Sequence, residues 1–153
     1  MAAMDITREE LDERVAIVKR FRGILEEQRE KFREYLTVLE KQHTKIEQGD
    51  SESVAIHSEL QEKIVSSIGA LQKVAAPMEA LYKKTHSCDS YIPEIQTELL
   101  SLRDKVSKQN VRNQELLRLK MGDLQKDMRA FKNPYRRSVY SSSSTASVVQ
   151  MDV

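Results

Sequence analysis

A heptad seam through the first third of the chain constrains what the rest can become. From Thr7 onward, apolar residues recur in alternating steps of four and three: Leu11, Val15, Val18, Leu25, Phe32, Leu36, Leu39 and Ile46. The same register lands on Arg22, Arg29 and His43, so eight of eleven seam positions are apolar over five repeats. A repeat of 3.5 residues keeps one helix face against a neighbouring helix along its whole length. A second stripe, Ile17, Phe21 and Ile24, widens the apolar face in the first half, which predicts contact with two neighbours there. Thr7 is the expected N-cap, with Glu9 and Glu10 in the first turn, and Gly49 the expected stop.

The segment GDSES supplies the break, with Asp50 or Ser51 capping a second helix that carries Val54, Leu60, Ile64, Val65, Ile68, Leu71, Val74 and Ala75. Pro77 lacks an amide hydrogen and crowds the preceding turn. Helix two therefore either ends near residue 76 or kinks and continues to about residue 84 through Met78, Leu81 and Tyr82. THSCDS, residues 85–90, reads as a loop. A third helix is expected over about residues 92–132, entered near Pro93 with Asp89 or Ser90 capping, and ended by Asn133 and Pro134. Its seam is Ile95, Leu99, Leu102, Val106, Asn110, Asn113, Leu117, Met121, Leu124, Met128 and Phe131, with a four-plus-four stutter at Asn113–Leu117–Met121.

Composition agrees with this plan. The 153 residues include four glycines, three prolines, no tryptophan and 5% aromatics, a profile of long helices with few turns. Short connections make sequential helices antiparallel. The expected fold is all-α: an elongated antiparallel up-down-up three-helix bundle over residues 1–132, followed by a flexible Ser/Thr-rich tail at 133–153. Helices one and three, of about 40 residues each, would span roughly 60 Å and run parallel. Counted from their starts, Arg22 and Arg29 fall level with Asn110 and Asn113, which predicts a polar layer that sets register.

Net charge is +1, so bulk charge argues for neither nucleic acid nor an anionic membrane. No apolar run approaches the roughly 20 residues of a membrane span, and the acidic start lacks a secretory h-region, so a cytoplasmic protein is expected. One cysteine, Cys88, excludes an internal disulfide framework. No catalytic constellation is legible. The glycines are isolated, which excludes a phosphate loop. His86 and Cys88 lack the second ligand pair a metal needs. His57 sits on a charged helix face and His43 on the seam, both ordinary packing or surface positions. Neither an enzyme nor a cofactor is expected. Arg136 and Arg137 beside Tyr135 are too few cations for strong phosphate binding, and Pro134 with the serines forbids a sustained membrane-surface helix.

The late third helix spreads Leu116, Leu117, Leu119, Met121, Leu124, Met128 and Phe131 around more than one face. The ordinary reading is that all of it packs inward. The other is that part of this methionine-rich stripe stays open for a partner helix. The chain then closes on ASVVQMDV, an apolar segment beyond a serine run, which suits folding back on the bundle, or docking on a partner as a strand or short helix, better than an idle linker.

Three stretches carry a family resemblance: the Glu/Leu-rich hairpin ILEEQREKFREYLTVLEKQHTKIEQGDSESVAIHSELQEKIVSSIGAL, the segment NQELLRLKMGDLQ, and the tyrosine-bearing polar end NPYRRSVYSSSSTASVVQMDV. Together they resemble the FlgN-type flagellar type III export chaperones over nearly the whole chain. The resemblance implies a small cytoplasmic helical protein that holds the C-terminal helical segments of hook–filament junction proteins. It would keep them from assembling early and deliver them to the cytoplasmic domain of the membrane export gate. On this sequence the implied client site is Leu116, Leu117, Met121, Leu124, Met128 and Phe131. Gate docking falls to Tyr135 or Tyr140, while Arg136, Arg137 and the serine run depart from the family pattern. The alternative from the heptads alone is a structural coiled-coil scaffold or oligomerisation subunit. An enzyme would need a pocket that such seams do not enclose.

Overall fold

The structure, a computed structural model, describes the backbone of residues 6–140 and the side chains of residues 6–130. Three helices make it up: α1 (Arg8–Gln48), α2 (Ser51–Thr85) and α3 (Tyr91–Tyr140), with no strand among the described residues. The fold is all-α and up-down-up, as the heptads predict. Two compact units divide the chain, Met1–Asn113 and Gln114–Val153.

Local chemistry sets the helix ends. Thr7 Oγ1 accepts from Glu10 N while the Glu10 carboxylate accepts from Thr7 N, both at 3.2 Å, a reciprocal capping box. At the other end Gly49 takes a left-handed φ of 71°, a conformation glycine reaches without a Cβ clash. One residue later Asp50 caps α2, accepting from Ser53 N at 3.1 Å and from Ser53 Oγ at 2.7 Å. These two bonds, with Lys45 nearby, hold the Asp50 carboxyl below its ordinary value. His86 ends α2 in the left-handed region at φ 50°, and Asp89 Oδ1 accepts from Tyr91 N at 3.0 Å to open α3.

Of the two courses expected at Pro77 the structure takes the continuing one, while Pro134, expected to end α3, lies inside it. α2 continues through Pro77 to Thr85, and α3 runs past Asn133 and Pro134 to Tyr140 instead of ending there. A proline ring deletes one hydrogen bond of the ladder but already holds a helical φ. Beyond Pro77, Met78 and Tyr82 pack on the core, and the Tyr82 ring lies 5.1 Å from that of Phe21, which anchors the far side. Of the tail expected at 133–153, residues 133–140 are therefore helical; residues 141–153 lie outside the described residues.

In the first unit α1 is the shared partner. Gln42, near the Gly49 turn, meets Ser58 and Gln61 of α2, while Phe21 far along α1 meets Tyr82, so the hairpin is antiparallel. Against α3, Glu26 meets Tyr91, Arg29 meets Glu98 and Leu39 meets Asn113, so α1 and α3 run parallel. The core comprises Phe21, Leu25, Phe32, Val38 and Leu39 of α1, Ile64 and Ile68 of α2, and Ile92, Ile95, Leu99 and Val106 of α3.

Candidate interaction surfaces

The expected polar layer divides into two levels. Arg22 lies beside Tyr91, its guanidinium 3.9 Å from the ring centre, and both Arg22 Nε (3.2 Å) and Tyr91 OH (2.9 Å) donate to Glu26 Oε1. The Tyr91 bond first, then Arg22, holds the Glu26 carboxyl below its ordinary value. Arg29 Nη1 lies 3.5 Å from Glu98 Oε2, with Arg33 Nη2 at 3.4 Å from the same oxygen. Arg22 and Arg29 thus face the first two turns of α3, not Asn110 and Asn113. The cause is α2: its 35 residues turn back short of the start of the 41-residue α1, so α3 enters level with Arg22 rather than Thr7. From Tyr91 to Asn113 the helix climbs about 33 Å.

Asn113, only 3% exposed, builds a layer of its own. Its Nδ2 donates to Leu39 O at 2.8 Å and lies 3.3 Å from Gln42 Oε1. A carbonyl only accepts, which fixes the amide orientation and leaves Asn113 Oδ1 to accept. That oxygen takes Gln109 Nε2 at 2.9 Å and lies 3.0 Å from His43 Nδ1, which therefore carries the proton. Gln42 in turn accepts from Gln61 Nε2 at 2.7 Å and donates to Ser58 Oγ at 3.1 Å. All three helices meet through these two buried amides, a device that fixes register because any slip leaves polar groups unpaired. Asn110 is half-buried and takes no part among the described residues.

Gln28 and Gln42 are buried polar residues that the seam reading missed. They follow Phe21 at steps of seven (Phe21, Gln28, Tyr35, Gln42), so extending the second stripe by whole heptads would have found them.

In the second unit the implied client residues form the other surface. Leu117, Met121, Leu124 and Met128 are exposed, as is Leu119, while Leu116 is half-buried. Leu117 and Met121 flank Gly122 in a shallow depression edged by Gln114, Arg118 and Gln125. The Phe131, Tyr135 and Tyr140 side chains lie outside the described residues, although α3 carries their backbone. Among the described residues no group of three or more His, Cys, Asp or Glu could hold a metal, and no helix is long and apolar enough to cross a membrane.

No family model matches the chain, and no solved structure matches it. It is 37% identical over 127 residues to an uncharacterized protein of Treponema pallidum (strain Nichols), across 83% of this chain and 82% of that protein.

Proposed function

We propose, for a chain that belongs to the same family as this Treponema pallidum protein, a cytoplasmic flagellar export chaperone without catalytic activity. It binds the C-terminal helical segment of hook–filament junction proteins, blocks their premature assembly and delivers them to the export gate. The observation that carries the reading is the exposed stripe Leu117, Met121, Leu124 and Met128 on α3. Four large apolar side chains on one helix face are a surface for a second amphipathic helix. Two of them are methionines, whose unbranched chains adapt to more than one partner shape. A client end made for coiled-coil contacts in a filament has the matching stripe, so each covers the other without chemistry or ATP. Release then needs only competition at the gate, for which Tyr135 and Tyr140 are the proposed docking residues.

The test is to mix the purified chain with C-terminal segments of the junction proteins of the same genome and weigh the products by light scattering. A discrete one-to-one complex from a monomer is expected. Replacing Leu117 and Met121 together with Ser should weaken that complex about 100-fold, two tenfold steps of buried apolar area, while helicity stays. A stable oligomer of the chain alone, with no complex, sinks the reading in favour of a coiled-coil scaffold. The exposed seam residues Leu11 and Val15 on α1 would then be the self-association face.

A further inference from the structure

In the second unit the uncovered stripe and the sequence that follows α3 match in chemistry, length and charge. Leu117, Met121, Leu124 and Met128 stand exposed on one face, which at 1.5 Å per residue is roughly 17 Å long. Residues 141–153 lie outside the described residues, and their sequence has two parts. The first, SSSSTAS, has no large apolar side chain; the second, VVQMDV, has Val148, Val149, Met151 and Val153. In an extended chain side chains alternate between two faces, so Val149, Met151 and Val153 fall together. Six extended residues span roughly 17 Å, the length of the stripe, whereas six helical ones cover about half of it.

Reach sets the position. Met128 precedes Tyr140 on α3 by roughly 18 Å of helix. The extended chain from Tyr140 to Val148 covers roughly 26 Å, which leaves length for a reversal of direction. Val148 then comes level with Met128, Met151 with Met121, and Val153 with Leu117. Met151 falls beside the shallow depression at Gly122, where an added Cβ would meet open space. Charge agrees with this course. Asp152 is the only charged side chain of residues 141–153, and the reversed chain sets it level with Leu119. There the two edges of the stripe carry Arg118 and Lys120, both exposed and without an ion pair among the described residues. Asp127, the acid on the Lys120 edge, lies about two turns further on, beside Met128, where the segment brings valines. The opposite direction would set Asp152 against Asp127.

We propose that residues 148–153 fold back along α3 of their own chain and cover Leu117, Met121, Leu124 and Met128, with Asp152 between Arg118 and Lys120. Six residues make a weak contact alone, but a short tether raises their local concentration to about the millimolar range. The result is a lid that closes the stripe and opens readily. Its regulatory sense rests on the chaperone reading: a client helix gains the stripe only by displacing the lid, so a chain without cargo keeps it from other apolar segments.

The test uses the full chain with carbon-13 methionine methyl groups, because methionine stands on both sides of the contact. A nuclear Overhauser cross-peak between the Met151 and Met121 methyls is expected. Asp152→Lys should remove it, as should Arg118→Glu with Lys120→Glu, and all three substitutions together should restore it. Arg118 and Lys120 are exposed, so circular dichroism should show the helices intact in every variant. Absence of the cross-peak in the full chain overturns the proposal. So does its persistence with Asp152→Lys, or its loss on about tenfold dilution, since the segment would then lie on a second copy. The second measurement is affinity for C-terminal segments of the junction proteins. Asp152→Lys should tighten it about threefold to tenfold, because the fraction of chains with an open stripe rises. Unchanged affinity in that variant would show that the lid does not guard the client stripe. A cross-peak with no binding of any such segment would remove the chaperone reading and leave the lid established.

Discussion

Leu39 of α1 and Leu124 of α3 occupy heptad seams of the same kind, yet Leu39 is 0% exposed and Leu124 stands open. The first belongs to a stretch where three helices share one core and two buried amides; the second to a stretch whose apolar stripe has no cover among the described residues. Seam periodicity therefore states that a face seeks a partner. It does not state whether that partner is in the same chain. The difference lies in what else each stretch supplies: Leu39 has Asn113 reaching its own carbonyl at 2.8 Å, while Leu117 and Met121 sit above a shallow depression edged by glutamines and Arg118.

That contrast can be broken by substitution. The largest effect is expected for Leu39→Ala, which should cost about 2–5 kcal/mol of unfolding free energy, against less than about 0.5 kcal/mol for Leu124→Ala. Equal shifts in urea midpoint would show that the late stripe is as buried in solution as the core. Next comes Asn113→Ala, which strips Leu39 O, Gln42, Gln109 and His43 of a partner. It should cost about 1–3 kcal/mol, while Asn110→Ala stays within about 0.5 kcal/mol. A larger loss for Asn110 would restore the polar layer as the heptad count first placed it. Gly49→Ala forces a Cβ into φ 71° and should lower stability by about 1 kcal/mol, read as a Tm shift.

The smallest effect is one of pH. Asp50 has a folded-state pKa below its ordinary value, through Ser53 first and Lys45 after. Its contribution is therefore complete above the unfolded carboxylate value of about 4 and is lost as pH falls through the lower folded value. Asp50→Asn, still a competent cap, should flatten the fall of Tm below about pH 5. An unchanged slope would assign that acid sensitivity to other carboxylates, of which Glu26 is the first to test by the same substitution to the amide.

Much of the fold was legible because local rules and tertiary demands agree. Thr7, Gly49 and Asp50 cap helices where their side chains or backbone freedom require it, and Phe21 through Ile46 form the core face that the heptads mark. Register was not legible. Placing Arg22 opposite Tyr91 rather than Asn110 depends on how far α2 returns along α1, and that distance depends on Pro77 failing to stop α2. Propensity counts the bond that proline removes but not the packing of Met78 and Tyr82 beyond it. The apolar stripe of late α3 could be named residue by residue, but its exposure needed coordinates. Gln28 was hidden because a polar letter in a widened stripe reads as surface, although it is among the most buried residues of α1.

The central position of α1 has a consequence for synthesis. The polar contacts of both other helices run to it, so its neighbours arrive in sequence as the chain leaves the ribosome. The α1–α2 hairpin is complete once Thr85 has emerged, but Ile92, Ile95, Leu99 and Val106 still lie ahead, and the seam facing them stays wet until they follow. Asn113, the last residue of the first unit, is also the one that closes the register lock on Leu39 and Gln42. A nascent chain stalled between residues 86 and 113 should therefore hold a formed hairpin with an open flank, and become resistant to protease only when that asparagine has cleared the exit tunnel.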